Sequence, residues 1–336
     1  MKVAIIGATG AVGREMVEDL AESSLKGIEV GFFASARSEG QSIEFRGTRQ
    51  AVKAFQVESL RGYDFALMSA GGSFSKEFSP KLAEIGVTVI DNSSAWRQDK
   101  DVALVVPEVN ASMLDTYKGR IIANPNCSTI QMVVALNPLQ KAFGLEMVQV
   151  STYQSVSGTG QKGISELADQ VHGHLKFEEL QPKVYAQPIV FNLLPGIGPI
   201  DSEGHCEEEI KMVKETQKIL SLPKLEVLAS TIRVPVFSCH SETISVRLSR
   251  DVTRNEVYQA LTGAPGLDFY TGDDYAEMPT PKKVAGQRGS YVARVRLPYG
   301  TERSRWVQFW NVADNLKKGA ATNAVQILEY LATKRK

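Results

Sequence analysis

Cys127 stands between Asn-Pro-Asn and Ser-Thr in the stretch ANPNCSTIQ, where a loop gives way to residues that read as a helix. A thiol there could be a small apolar filler, half of a disulfide, a metal ligand or a nucleophile. The helix start favours the last, because unpaired amides and the positive end of the helix dipole stabilise a thiolate, and the thiolate is the reactive form. A polar Asn-Cys-Ser-Thr turn is a poor place for a filler. The other two of the three cysteines, Cys206 and Cys239, fit that role well. An odd, sparse set is no disulfide framework. None of the three is in a CxxC pair, so no metal is expected.

A nucleophilic thiol needs a base, and the chain has four histidines. His172 and His174 lie in a polar HGH and read as a solvated pair. His205 lies in the loop DSEGHCEEE and reads as exposed. His240 ends RVPVFSCH, seven residues after Arg233, on a strand-to-turn stretch. That separation predicts a hairpin from which Arg233 and His240 face one pocket.

The N-terminal GATGAVG places glycines at 7, 10 and 13, after an apolar strand and before a helix. This GxxGxxG is a variant of the dinucleotide fingerprint. Small residues let backbone approach a pyrophosphate, and the helix start supplies amides. Gly7, Thr9, Gly10, Ala11, Val12 and Gly13 are the candidate contacts. An NAD site places a carboxylate at the end of the second strand for the ribose hydroxyl. Here that strand ends FFASARS, with Ser35, Arg37 and Ser38 and no carboxylate before Glu39. An Arg flanked by hydroxyls suits a 2′-phosphate, so NADP is expected as the cofactor.

These residues need a frame. KVAII (2–6), GIEVGFFAS (27–35), DFALMSA (64–70) and VTVID (87–91) read as strands, alternating with helices over 11–24 and SFSKEFSPKLAEIG, where Ser73 or Ser75 would be the cap. VALVVPEVN and RIIANPN continue the alternation. The pattern predicts a doubly wound, Rossmann-like parallel sheet. After about residue 145, EMVQVSTYQSVSG, KLEVLASTIRVPV, SETISVRLS and GSYVARVRLP predict a mostly antiparallel sheet with helices on one side, an α+β domain. Pro138 is expected to kink the helix after Cys127. Residues 316–334 read as a final helix with a stripe through Leu316, Ala320, Ala324, Ile327, Leu328 and Leu331.

Composition agrees with two such domains. The 336 residues are 43% hydrophobic and 23% charged, with 38 basic and 38 acidic residues. That balance gives no reason to expect nucleic acid or an anionic membrane as partner. No apolar stretch is long enough to span a bilayer, and the start is too short for a secretory signal, so a reducing cytoplasm is expected.

In order along nearly the whole chain, GATGAVG, SSAWR, NPNCST, YQSVSGTG, EEEIKMVKETQKIL and RVPVFSCHSE resemble the aspartate-semialdehyde dehydrogenases. The resemblance extends to DNLKKGAATNAVQ and implies a reaction. L-aspartyl-4-phosphate would be reduced by NADPH to L-aspartate-4-semialdehyde and phosphate, in the biosynthesis of lysine, methionine, threonine and diaminopimelate. It implies Cys127 as the nucleophile that forms an acyl thioester, His240 as general acid and base, and Gln154 as the residue orienting the intermediate. It gives Arg233 the substrate α-carboxylate, Glu208 the ammonium, with Glu207 and Glu209 as alternatives, and Arg97 and Lys211 the phosphate. Asn126 is a further candidate substrate contact, and Ser157, Gly158 and Asn315 are cofactor contacts. Taken bare, Lys211 with Glu207 and Glu208 could also be helix-surface ion pairs. The resemblance also implies that the last helix returns to the first domain, giving 1–127 with 315–336 for the NADP-binding domain and 128–314 for the catalytic and dimerisation domain. A homodimer or homotetramer follows.

Two rivals stand beside this reading. One is a reductase of N-acetyl-glutamyl phosphate, which shares thiol, fold and NADP, but whose cysteine follows Gly where this chain has Asn126. The other is a non-catalytic NADP-binding relative, against which Cys127, Gln154, Arg233 and His240 are all present.

Overall fold

The structure is a computed structural model and describes residues 1–334. It divides into two units, Met1–Asn126 with Gly319–Lys336, and Cys127–Lys318. Cys127 and residues 315–318 thus fall in the second unit.

The first unit begins with β1 (Lys2–Ile6), α1 (Ala11–Glu22) and β2 (Glu29–Ala34). A small hairpin of β3 (Ser42–Phe45) and β4 (Thr48–Ala51) follows, then β5 (Lys53–Ala54), β6 (Phe65–Met68), α2 (Gly72–Glu84), β7 (Thr88–Asp91), β8 (Ala103–Leu104), α3 (Pro107–Asn110) and β9 (Ile121–Ala123). Seven strands pair in the order β5-β2-β1-β6-β7-β9-β8, and every pairing is parallel. Alternation along β1 shows why both faces must be covered. Val3 and Ile5 join a core with Met16 and Leu20 of α1, whereas Ala4 and Ile6 join one with Leu82 of α2.

The second unit holds α4 (Cys127–Phe143), β10 (Leu145–Gln154), α5 (Gln161–Leu175), β11 (Leu194–Pro195), α6 (Glu207–Ile219), β12 (Glu226–Arg233), β13 (His240–Val252), α7 (Arg254–Leu261), β14 (Leu267–Phe269), α8 (Pro281–Val284), β15 (Ser290–Arg296) and β16 (Ser304–Ala313). Its sheet runs β11-β12-β10-β13-β16-β15-β14, antiparallel except for β10 with β12 and β14 with β15. One face is covered by helices: Ala135, Leu136 and Leu139 of α4, Met212 of α6 and Val257 of α7 pack on Val148, Val150, Ile244, Val246 and Phe309. The chain then returns to the first unit as α9 (Thr322–Lys334), whose Thr322 hydroxyl donates to Asp19 of α1.

Three expectations need correction. Ser73 and Ser75 do not cap α2: the helix already begins at Gly72, and Ser75 Oγ instead meets Ser79 Oγ at 2.9 Å and accepts from the Trp96 indole at 3.0 Å. The final helix is not continuous from 316, because Asp314 Oδ1 accepts from the amides of Leu316 and Lys317 and a π-type turn over Lys317–Ala321 precedes α9. Arg233 and His240 do not belong to one hairpin, because β10 lies between β12 and β13 in the sheet.

Candidate active site

Sheet register in the second unit does what a hairpin was expected to do. Gln154 ends β10 and pairs with Arg233, the last residue of parallel β12. On the other side Tyr153 pairs with Ser241 of antiparallel β13, so Gln154 and His240 are next in line. Three strand ends meet, and a shared register puts their side chains on the face that carries α4 and α6. Beyond β13, His240 pairs with Ala313 of β16, which brings Asn315 to the same end.

Ser155, the residue after β10, ties these groups together. Its carbonyl accepts from Arg233 Nη1 at 2.7 Å, and its amide donates to His240 Nδ1 at 3.1 Å. A backbone amide can only donate, so Nδ1 presents a lone pair there and a neutral ring carries its proton on Nε2. Ser155 Oγ also lies 3.2 Å from Nδ1, and donates to Asn315 Oδ1 at 3.1 Å. Asn315 Oδ1 accepts as well from Ser157 Oγ and from the Cys239 amide, each at 3.0 Å. The carbonyl end of Asn315 is therefore engaged in bracing the loop around His240.

His240 is fully buried, and burial pulls its pKa down to about 3, with the positive charge of Arg233 adding to the effect. The ring is neutral at ordinary pH. Nε2 is buried and has no hydrogen-bond partner in the protein, which marks the atom as one reserved for a reaction. Gly158 is held close to this ring. A Cβ there would lie 2.9 Å from Arg233 Nη1 and 3.2 Å from His240 Nε2, so only glycine leaves both side chains where they are.

Cys127 is the first residue of α4 and half-buried, as the loop-to-helix break predicts. Pro138 lies within α4, which continues to Phe143. Cys206 and Cys239 are buried fillers. Cys206 Sγ accepts from the Ile197 amide at 3.3 Å, and burial pushes the Cys239 thiol up to about 12, with Asp314 adding to the shift. His172, His174 and His205 are exposed.

The three glutamates at the start of α6 have separate positions. Glu209 takes the Cys206 amide at 2.9 Å in a capping box, and the Thr231 amide at 3.0 Å. Glu207 is exposed and pairs with Lys211 at 2.7 Å. Glu208 is buried, takes Gln154 Nε2 at 3.3 Å, and lies 3.6 Å from Lys211 Nζ. A glutamate and a lysine thus sit beside Gln154, on the face that carries His240 and Arg233.

In the first unit Arg97 is buried rather than on the surface, with Nε donating to the Asn124 carbonyl at 2.9 Å and Nη2 to the Asn92 carbonyl at 3.0 Å. Asn126 is buried too. The glycine turn has the shape of a dinucleotide cradle. Gly7 has φ +85°, and a Cβ on it would lie 2.2 Å from the Ser69 carbonyl oxygen. Gly10 caps α1 with no side chain across its amides, and the first turn has no acidic residue, so an anion can approach. Thr9 Oγ1 reaches Ser38 Oγ at 3.2 Å, which joins the turn to Ser35, Arg37 and Ser38, all at least partly exposed. Among the described residues no group of three His, Cys, Asp or Glu is placed to hold a metal, and no helix is long and apolar enough to cross a membrane.

What spacing alone missed is Ser155 and the network behind it. The only signal was a hydroxyl residue directly after Gln154, which sequence does not distinguish from any loop serine.

Comparison with known proteins gives consistent results. Residues 2–117 match the family described as semialdehyde dehydrogenase, NAD binding domain, and residues 136–318 match semialdehyde dehydrogenase, dimerisation domain. The aspartate-semialdehyde dehydrogenase of Aquifex aeolicus is 46% identical over 334 residues, covering 98% of this chain and 97% of its own. That of Bacillus subtilis is 40% identical at the same coverage. A crystal structure of aspartate semialdehyde dehydrogenase II from Vibrio cholerae, complexed with ASA, superposes with a TM-score of 0.94 at 42% identity, over 99% of this chain and 98% of that one.

Proposed function

The chain belongs to the aspartate-semialdehyde dehydrogenase family, and on that premise we propose that it is the enzyme that converts L-aspartyl-4-phosphate to L-aspartate-4-semialdehyde with release of phosphate. The observation that carries the reading is the meeting of Gln154, Arg233 and His240 at one sheet end, beneath the helix that Cys127 begins.

Cys127 is the nucleophile. Its thiolate attacks the acyl carbon, the C–O bond to phosphate breaks, and a thioester remains, so one hard step becomes two. A reduced nicotinamide dinucleotide, when held by the glycine turn, would supply the hydride that this thioester carbonyl takes up. Collapse of the resulting hemithioacetal expels the thiolate and frees the aldehyde. His240 manages the protons at Nε2. Ser155 offers Nδ1 both a donor, its amide, and an acceptor, its Oγ, so the ring is held whichever nitrogen is protonated. With the proton on Nε2 the ring donates to an oxyanion. With the proton on Nδ1 it takes the proton of the thiol. Gln154 orients the acyl group. Arg233 holds the α-carboxylate through its planar fork, and Glu208 the ammonium. Lys211 and Arg97 are assigned to the phosphate, where cations stabilise the departing charge. Asn126 is assigned to the substrate.

The cofactor is proposed to be NADP, with Gly7, Thr9, Gly10, Ala11, Val12 and Gly13 on the pyrophosphate side and Ser35, Arg37 and Ser38 on a 2′-phosphate. Ser157, Gly158 and the amide nitrogen of Asn315 are assigned to the nicotinamide end. The second unit is proposed to pair two copies into a homodimer, with a tetramer as the alternative that light scattering decides. A reducing cytoplasm suits an enzyme whose nucleophile is a free thiol.

The test is NADP reduction by purified protein with aspartate β-semialdehyde, with and without phosphate, and with arsenate as a check. Phosphate-dependent reduction supports the reading. Reduction of N-acetyl-glutamyl phosphate instead would move the assignment to that reductase.

A further inference from the structure

Between α5 and β11 the chain runs over 176–193 without a helix or a strand. Loops beyond about 12–15 residues are uncommon unless they serve a purpose. This one is fastened by buried side chains. Glu166 and Gln170 lie one turn apart on α5, both buried, and Gln170 Nε2 donates to Glu166 Oε1 at 3.1 Å. Glu166 Oε2 accepts from the amides of Lys183, at 3.1 Å, and Val184. Gln170 Oε1 accepts from those of Ile189 at 2.8 Å and Val190 at 3.1 Å. The two side chains stand in for the strand partner that this backbone lacks, and so fix its course over 183–190.

The fastening delivers Tyr185, whose hydroxyl donates to Thr159 Oγ1 at 3.0 Å. Thr159 ends the short turn Val156–Thr159, which carries Ser157 and Gly158. The start of that turn is held by main chain: the amides of Val156 and Ser157 donate to the carbonyls of Val236 at 2.9 Å and Phe237 at 3.2 Å. Tyr185 holds its end. Gly163, in the first turn of α5, makes the approach possible. A Cβ there would lie 2.6 Å from the Val156 carbonyl oxygen and 2.7 Å from the Tyr185 hydroxyl oxygen. Glycine is a poor helix residue, and here close packing requires it. Past Val190 the same segment enters β11, where Leu194 pairs with Arg233. One strap therefore joins the end of the turn to the strand end that carries Arg233.

We propose that Tyr185 is a positioning residue: its bond to Thr159 holds the turn Val156–Thr159, and so keeps Gly158 against His240 and Arg233 and Ser157 against Asn315. The main chain of Gly158 lies beside the Nε2 edge of the His240 ring, so looseness in the turn reaches the reacting atom directly. The ring of Tyr185 packs with Val156, Leu167 and Ile189, and this packing is separable from the hydroxyl because Tyr185→Phe keeps the ring and removes the bond.

The inference rests on His240 being the acid and base of the reaction proposed above, and its test reads the tie apart from that reaction. Tyr185→Phe, Thr159→Val, their double variant and Thr159→Ser are compared with wild type by kcat, KM and Tm. Amide hydrogen exchange is followed by mass spectrometry on protein without dinucleotide. Tyr185→Phe and Thr159→Val should each lower kcat by about fivefold with KM for aspartate β-semialdehyde within about twofold, as misplacement of reacting groups does. The double variant should lose no more than either single one, because both remove the same bond. Thr159→Ser keeps the hydroxyl and should stay within about twofold of wild type. In the Phe and Val variants the amides of 156–160 should exchange about fivefold faster or more, with Tm lowered by only a few degrees. Multiplied losses in the double variant, unchanged kcat in Tyr185→Phe, or faster exchange confined to 183–190 would overturn the inference. A wild type without dehydrogenase activity whose Phe and Val variants still show the faster exchange at 156–160 would sink the proposed reaction and support the tie.

Discussion

The amide of Ser155 donates to Nδ1 of His240 over 3.1 Å, from the residue directly after β10 to the first residue of β13. This single bond sets which nitrogen of a fully buried imidazole is left for chemistry. It exists because β10 and β13 pair in a register that brings their ends together.

His240→Asn should remove most turnover, by roughly a hundredfold or more, as expected for loss of a general acid and base. It should also change stability in acid. The ordinary value of the ring is 6.5 and the folded value about 3, so the folded state refuses a proton that the unfolded chain takes up. Stability is full above pH 6.5 and falls as pH drops toward 3. The acid side of the Tm profile of His240→Asn should be flatter than that of wild type, and equal slopes would contradict the burial argument.

Gly158→Ala introduces a Cβ 2.9 Å from Arg233 Nη1 and 3.2 Å from His240 Nε2. The Arg can swing aside, but the buried ring has nowhere to go. kcat/KM should fall by at least about tenfold, since small displacements of reacting groups are expensive, while Tm moves by only a few degrees. Steady-state kinetics with a melting curve reads both.

The three glutamates of α6 give a built-in control. Glu208→Gln should raise KM for the aminated substrate, because this is the carboxylate beside Gln154. Glu209→Gln should instead lower stability by about 1 kcal/mol through the capping box, with kinetics nearly intact. Glu207→Gln, at the surface, should do little to either. A large KM effect in Glu207→Gln alone would reassign the ammonium contact.

Arg37→Ala should weaken NADP by about tenfold or more, the scale of one charge-assisted phosphate contact, and leave NAD nearly unchanged. The ratio of KM values for the two cofactors measures it. Equal losses for both would show that the Ser35, Arg37 and Ser38 turn does not read a 2′-phosphate.

The sequence made Cys127 legible because two local signals coincide, a proline-containing break and the apolar helix after it. The parallel sheet of the first unit was legible for a similar reason: its strands are apolar on both sides. Arg233 and His240 were correctly brought together for a mistaken reason. The spacing suggested a hairpin, and nothing local tells that β10, some 80 residues earlier, inserts between their strands. Ser155 was hidden by the same long range, since it acts on a partner that only the register supplies. The cap of α2 was placed two to four residues late, at Ser73 or Ser75 rather than Gly71, because serine is a better capping residue than glycine in general, while here tertiary bonds use Ser75 elsewhere.

The central claim is that Cys127 carries the acyl group. Wild type and Cys127→Ser should be mixed with L-aspartyl-4-phosphate in the absence of reduced cofactor, quenched in acid and weighed intact by mass spectrometry, with peptide mapping. The account expects one aspartyl adduct per chain in wild type, mapped to the peptide bearing Cys127 and released by hydroxylamine. An adduct on another residue in wild type, or one that forms undiminished away from position 127 in Cys127→Ser, would contradict it.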